Sequence, residues 1–213
     1  MALLVSEIYY SLLGEASFSG QPGLLIRLSG CNLRCRYCDT TYAYEGGEER
    51  SIAALVAAAQ ANQARLALVT GGEPLLQEES LELMTALADA GLTVLLETNG
   101  SRPIASVDSR VHRIVDLKCP SSGMADHNYL DNLNDLRTGD ELKLVVSNRE
   151  DFDWALHLLL SLHPWERFPV WFSPVFGVLP PQELAAWILE RRLPLRLNLQ
   201  LHKYIWGPEA RGV

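Results

Sequence analysis

The chain is short of positive charge and has no long hydrophobic run. Lysine and arginine number 18 against 26 aspartates and glutamates, a formal net charge of −8 over 213 residues. Because nucleic-acid affinity depends on clustered basic side chains, this balance argues against a nucleic-acid partner. No stretch approaches the ~18 uninterrupted apolar residues of a membrane span, and residues 1–10 carry no basic, apolar leader. We therefore expect a cytoplasmic protein that binds small molecules or proteins rather than membranes or nucleic acids.

Cysteine is also scarce, with four in the chain. Cys31, Cys35 and Cys38 fall within eight residues, so close that they exclude a disulfide scaffold, and in a reducing compartment such groups more often hold metals. Three thiolates on one loop fit three corners of a 4Fe-4S cluster and leave the fourth iron open. Structural zinc prefers four ligands, which Cys119 would have to complete. The spacing favours the cluster and leaves zinc and a metal-free thiol group as alternatives.

Internal repeats and low-complexity linkers are absent as well, so we expect a single domain over residues 1–213. Short apolar runs alternate with apolar stripes of helical period, which indicates βαβ units and a mainly parallel sheet. A complete eight-stranded barrel usually needs roughly 250 residues, so we predict an α/β fold built as an incomplete, cut-down barrel. The predicted strands lie near residues 3–10, 24–28, 66–70, 92–97, 112–118, 142–146, 170–172 and 195–199; helical stripes lie at 52–59, 83–88, 152–159 and 184–188; residues 200–213 form a tail.

Two motifs resemble those of the radical S-adenosylmethionine superfamily. The first is the CxxxCxxC loop of residues 31–38, with Tyr37 as the aromatic residue before the last cysteine. The second is Thr-Gly-Gly-Glu-Pro at 70–74, which follows a predicted strand. The resemblance implies that Cys31, Cys35 and Cys38 hold a 4Fe-4S cluster whose open iron binds S-adenosylmethionine. One electron from the cluster then cleaves the cofactor to methionine and a 5′-deoxyadenosyl radical.

Further segments resemble one family within that superfamily, the 7-carboxy-7-deazaguanine synthases. The matching segments are residues 11–15, 26–35, 38–40, 70–75, 97–100, 116–123 and 200–204. The resemblance implies a radical ring contraction of 6-carboxy-5,6,7,8-tetrahydropterin with release of ammonia, in the biosynthesis of queuosine-type 7-deazapurines. It also implies magnesium, a homodimer, and a reducing partner such as flavodoxin or ferredoxin.

The same resemblance assigns residues one at a time. The residues that would line the cofactor are Tyr37, Asp39, Gly72, Glu73, Gly100, Asp116 and Lys118, of which Tyr37 and Asp39 pack near the adenine. The residues that would contact the substrate are Leu12, Leu13, Gly14, Glu15, Arg27, Thr98 and His202. Arg27 would take the substrate carboxylate, since its planar fork suits such a group. The hydroxyl of Thr40 would bind magnesium, a hard ion that few protein oxygens hold.

Several of these assignments have a plain structural alternative. Thr40 also fits a turn hydroxyl that caps a backbone amide, Arg27 a surface arginine, and His202 a residue that caps the last strand or bonds a carbonyl. The chain departs from the family at Leu13, where glutamine is usual, so any polar contact there must come from the backbone. It departs again at Ala16, where glycine is usual. A glycyl-radical activase and a non-catalytic zinc-binding interaction module are the competing functions.

Overall fold

The computed structural model describes residues 1–213 and joins all nine strands in one sheet. The strands are β1 (Ala2–Leu12), β2 (Pro22–Leu28), β3 (Glu48–Ser51), β4 (Leu66–Gly71), β5 (Thr93–Thr98), β6 (His112–Lys118), β7 (Glu141–Val146), β8 (Val170–Pro174) and β9 (Leu195–Leu197). The helices are α1 (Ile52–Ala61), α2 (Glu79–Asp89), α3 (Asn132–Asp135), α4 (Arg149–Leu160), α5 (Pro181–Arg191) and α6 (Leu201–Trp206).

The order of strands in the sheet is β3-β1-β2-β4-β5-β6-β7-β8-β9. Seven strands run parallel, namely β2 and β4 to β9. Strands β1 and β3 add an antiparallel edge beside β2. The prediction of a mainly parallel α/β fold in an incomplete barrel is therefore confirmed. None of the helices has the length and apolar character needed to cross a membrane.

The two faces of the sheet bury different side chains. A core of 38 buried residues lies where α1, α2, α4 and α5 cover one face, and it includes the fully buried Cys119. A small second cluster, made by five leucines at positions 13, 25, 66, 68 and 95, lies on the other face. Because side chains alternate along a strand, the inward positions two residues after Leu25, Leu68 and Leu95 share this inner face at the strands' carboxyl ends. Those positions are Arg27, Thr70 and Glu97.

Three elements were not predicted, and one of them is α3, a four-residue helix too short to show a period. The sequence Glu-Glu-Arg-Ser of β3 is exposed throughout, so it carries no alternating apolar signal, and only its pairing with β1 makes it a strand. The segment expected to be a tail contains α6, whose six residues are too few to show a helical period. The Leu201 amide donates to the Gly14 carbonyl at 2.9 Å, so α6 connects the end of β9 to the end of β1.

Candidate active site

One large cavity opens at the carboxyl ends of the parallel strands. Its volume is about 710 Å³, within the ~300–1,000 Å³ typical of small-molecule sites. All but two of the eighteen predicted site residues line it; the exceptions are Glu73 and Gly100. The cavity also collects residues that were not predicted, among them Tyr9, Tyr42, Thr70, Glu97, Lys143, Gln200 and the chain from Pro208 onward.

The three clustered cysteines are free, partly exposed thiols in the cavity wall. The sulfur of Cys31 accepts hydrogen bonds from the Leu33 amide at 3.4 Å and from the Asn99 side chain at 3.8 Å. Burial raises the pKa of the thiols of Cys31 and Cys35. No three His, Cys, Asp or Glu side chains converge around a single-ion position. A cubic cluster binds its thiolates at separate irons, so three sulfur donors spread along one loop fit it.

The Gly-Gly-Glu turn after β4 packs directly on the cysteine loop. A Cβ on Gly72 would lie 2.1 Å from the Gly30 carbonyl oxygen and 2.7 Å from Cys31 Cβ, so only glycine fits there. The Glu73 amide donates to the same Gly30 carbonyl at 2.8 Å. The turn thereby positions the first cysteine, and its glycines form this part of the cavity wall.

Glu73 lies behind that wall instead of in it. The side chain is fully buried, and its carboxylate accepts from the Asn99 amide at 2.7 Å and from the Leu75 amide at 3.0 Å. The Thr98 hydroxyl donates to it at 2.8 Å, so this hydroxyl is also engaged. Gly100 lies below the surface with a φ of +72°. Glu73 and Gly100 therefore support the wall from behind in this structure, and their direct contacts with a ligand stay predictions.

A buried lysine that the sequence reasoning missed lies at the centre of the inner face. Lys143 is 4% exposed and pairs with Glu15 at 2.7 Å, with Asp116 at 3.3 Å and with Glu97. Burial raises the pKa of Glu15, but the charge of Lys143 outweighs it and holds that pKa below its usual value. Glu15 therefore remains ionised. The signal that could have located Lys143 is a charged residue inside an apolar strand.

Asp116 joins this network and retains one free atom. Its Oδ2 lies 3.1 Å from the Lys118 ammonium, and register pairs it with Lys143 on the next strand. Its Oδ1 is buried without a hydrogen-bond partner in a residue that is 6% exposed and lines the cavity. Because an unpaired buried acceptor is costly, this atom points to a donor supplied by a ligand.

Arg27 lies at another part of the wall and is already paired. Its Nε lies 2.6 Å from Glu7 Oε1, and its Nη2 lies 3.4 Å from the Tyr9 hydroxyl. The Tyr42 hydroxyl donates to the same Glu7 oxygen at 2.8 Å. Burial raises the pKa of Tyr42 to about 12, so its phenol stays a donor. Arg27 is consequently an ordered cavity arginine, not the surface arginine of the alternative interpretation.

The segment from Leu12 to Gly14 uses much of its backbone internally. The Leu13 amide donates to the Gln21 carbonyl at 2.9 Å and its carbonyl accepts from Gly20 at 2.8 Å. The predicted backbone contact of Leu13 with a ligand therefore competes with this turn. His202 packs so tightly on Gly14 that an added Cβ would lie 2.2 Å from its Nδ1. Burial lowers the pKa of His202, which favours the neutral ring.

Helix α6 also holds the end of the cysteine loop. Lys203 Nζ lies 2.5 Å from Asp39, and the Gln200 side chain donates to both Asp39 at 3.2 Å and Glu15 at 3.0 Å. The charge of Lys203 overcomes the effect of burial and lowers the pKa of Asp39. The Thr40 hydroxyl donates to Asp39 at 3.0 Å, so it does not cap a backbone amide as the structural alternative required.

Comparison with known proteins decides the family. The model of the radical SAM superfamily matches residues 25–123. The chain is 47% identical to 7-carboxy-7-deazaguanine synthase of Chlorobaculum tepidum over 99% of this chain and 97% of the relative. It is 42% identical to the enzyme of the same name from Koribacter versatilis over 98% of this chain and 99% of the relative. The chain belongs to the 7-carboxy-7-deazaguanine synthase family. It is therefore a radical S-adenosylmethionine enzyme.

Solved structures agree on the fold of this family. The crystal structure of QueE from Escherichia coli superposes with a TM-score of 0.80 at 24% identity and covers 95% of both chains. Streptococcus suis SuiB bound to S-adenosylmethionine gives a TM-score of 0.58 at 12% identity over 85% of this chain and 51% of that chain. Superfamily membership brings a 4Fe-4S cluster and S-adenosylmethionine, and the three cavity thiols fit the first of these.

Proposed function

We propose that this chain converts 6-carboxy-5,6,7,8-tetrahydropterin into 7-carboxy-7-deazaguanine and ammonia, in the biosynthesis of queuosine-type 7-deazapurines. The observation that carries this proposal is the composition of one cavity. The three cluster-type thiols share it with Arg27, Glu15 and the Lys143 network. The ligands for an iron–sulfur cluster and the side chains that suit an anionic heterocycle rich in N–H groups thus line the same cavity.

The three clustered cysteines define the side of the cavity that binds the cofactors. Cys31, Cys35 and Cys38 hold the 4Fe-4S cluster. When bound, the cluster and S-adenosylmethionine would supply a 5′-deoxyadenosyl radical that removes a hydrogen atom from pterin C6, and the resulting 5′-deoxyadenosine would return it. The residues that line the cofactor are Tyr37, Asp39, Gly72, Asp116 and Lys118. The unpartnered Oδ1 of Asp116 accepts a hydrogen bond from the cofactor.

Arg27, Glu15 and the Lys143 network define the side of the cavity that binds the substrate. Arg27 binds the pterin carboxylate with the part of its fork that Glu7 leaves open. Glu15, which Lys143 keeps ionised, and Glu97, which pairs with the same lysine, accept hydrogen bonds from the amino and amide N–H groups of the ring. A charged acceptor forms stronger bonds to such donors than a neutral one would.

The remaining predicted residues shape this side. Leu12, Leu13 and Gly14 form a wall on which His202 packs at Gly14, and Thr98 lines the same cavity while its hydroxyl donates to Glu73. Loss of ammonia accounts for the whole difference in atoms between substrate and product, so the reaction needs no net oxidant. Because S-adenosylmethionine would be re-formed in each cycle, the reaction needs no net reductant either.

Magnesium, the redox partner and the assembly complete the proposal. Thr40 and the neighbouring Asp39 offer hard oxygen donors at the cavity wall, which suits an ion that also takes substrate oxygens. We propose that flavodoxin or ferredoxin delivers the electron. We also propose that the single domain 1–213 works as a homodimer.

Anaerobic reconstitution tests the chemistry of the cavity. The protein should bind about four irons per chain, as a cubic cluster requires. It should then form 5′-deoxyadenosyl products from S-adenosylmethionine only with a reductant. Cys35→Ala should lose the cluster and this activity, whereas Cys119→Ala, outside the cavity, should retain both. A single tightly bound zinc in place of iron, or full activity of Cys35→Ala, would contradict the proposal.

A further inference from the structure

The last residues of the chain bring a second arginine to the cavity. Pro208, Glu209, Ala210, Arg211 and Val213 all line it. The guanidinium carbon of Arg211 lies 4.0 Å from the centroid of the Tyr42 ring, a cation–π stack. No carboxylate lies within 4.0 Å of the Arg211 guanidinium. An aromatic face thus holds this cation in place while its charge remains uncompensated.

The Tyr42 ring connects Arg211 to the Arg27 site. The Tyr42 hydroxyl donates to Glu7 Oε1 at 2.8 Å, and Arg27 Nε binds the same oxygen at 2.6 Å. Arg27 and Glu7 together carry no net charge. An incoming carboxylate would therefore leave one uncompensated negative charge beside Glu7. Adding Arg211 restores neutrality, since two arginines then face two carboxylates.

The other cations of the cavity cannot fill this role. Lys118, Lys143 and Lys203 are each paired with acidic side chains. Arg36 has no acidic partner, but it belongs to the cysteine loop and packs against Gly123. Only Arg211 combines an unpaired charge with a contact to the Glu7–Arg27 pair through Tyr42.

We propose that Arg211 is a specificity-determining residue that binds the carboxylate of the substrate together with Arg27. This inference rests on the proposed function. The planar fork of each arginine suits a carboxylate, and the stack on Tyr42 limits the side-chain freedom that binding would otherwise remove. The pair selects a pterin that carries an anionic substituent over the same ring without one.

Equilibrium binding to the reconstituted holoenzyme tests the inference, with two probes. One is 6-carboxy-5,6,7,8-tetrahydropterin, and the other is tetrahydropterin, which lacks the carboxylate. Arg211→Gln should weaken binding of the first about tenfold or more, the usual effect of losing a hydrogen bond between charged groups. It should leave the affinities for tetrahydropterin and S-adenosylmethionine unchanged. Arg211→Lys should recover part of the loss.

Arg196→Gln is the matched control. Arg196 also stacks on an aromatic ring, that of Trp171 at 5.1 Å, but neither residue lines the cavity, so both affinities should remain as in the wild type. An equal loss for both pterins in Arg211→Gln, or no loss for either, would overturn the inference. Failure of the wild-type protein to prefer the carboxylated pterin would overturn the proposed function and the inference with it.

Discussion

One residue, Lys143, connects the acidic side chains at the centre of this cavity. It is the shared partner of three carboxylates that come from β5, from β6 and from the segment after β1. Without the lysine, burial would be the largest influence on the pKa of Glu15 and would favour its protonated form. A protonated acid is a weaker acceptor for ring N–H groups, so the proposed hydrogen bonds to the pterin ring depend on this ammonium.

Replacing Lys143 by methionine should be strongly destabilising. Removing one partner from a buried ion pair usually costs about 3–5 kcal/mol, because the remaining charges stay buried and unpaired. Urea unfolding of the metal-free protein measures the loss. Arg65→Met, at an exposed arginine, serves as the control and should change the free energy of unfolding little.

The pH dependence of that loss separates electrostatics from packing. In the wild type the folded pKa of Glu15 is below its ordinary value of 4.5, so its contribution is present above pH 4.5 and is lost as the pH falls below it. In Lys143→Met the folded pKa of Glu15 should rise above its ordinary value because burial is no longer opposed by the lysine, so stability should fall as the pH rises. The difference between the two proteins should be larger at pH 8 than at pH 5. A difference independent of pH would contradict this interpretation.

At the scale of elements, the turn after β4 and the cysteine loop act as one unit. Their contact at Gly72 has no room for a side chain, because the Gly30 carbonyl would lie 2.1 Å from an added Cβ. The buried carboxylate of Glu73 fixes the far side of the same turn. The position of Cys31 thus depends on residues about forty positions later in the chain.

Gly72→Ala should displace the cysteine loop and reduce the iron bound on reconstitution from about four per chain to well under half of that. Gly30→Ala is the matched control on the same loop. Its added Cβ meets no atom within 4 Å, but its φ of +94° is unfavourable for alanine. It should therefore lose about 1–2 kcal/mol of stability and keep the cluster. Full iron content in Gly72→Ala would show that the contact is not needed.

Elements with a strong local pattern were predictable, and those without one were not. The apolar runs of β4 and β6 predict their strands to within a residue. By contrast, β3 is polar and depends on its neighbour, and α6 is short and depends on contacts with Gly14 and Asp39. The cavity residues also differ in how predictable they were from the sequence. Cys31 and Arg27 are visible as motif residues, whereas Lys143 and Arg211 become site residues only through strand register and a distant stack.

At the scale of the whole molecule, the fold brings polar and thiol side chains from the full length of the chain to one edge of a sheet. Parallel strands place their carboxyl ends together, which collects the inner-face polar residues of β2 to β7. The sheet stays open between its edge strands, and α6 with the residues after it spans from β9 to the end of β1. The acidic net charge of −8 agrees with a free small molecule as substrate.

The conversion itself is the most direct test of this account. Anaerobically reconstituted protein receives 6-carboxy-5,6,7,8-tetrahydropterin, reductant, magnesium and a small fraction of one equivalent of S-adenosylmethionine. We predict equal amounts of ammonia and 7-carboxy-7-deazaguanine, in excess over the S-adenosylmethionine supplied, because the hydrogen atom returns to regenerate it. Cleavage of S-adenosylmethionine with neither ammonia nor a deazapurine would contradict the central claim.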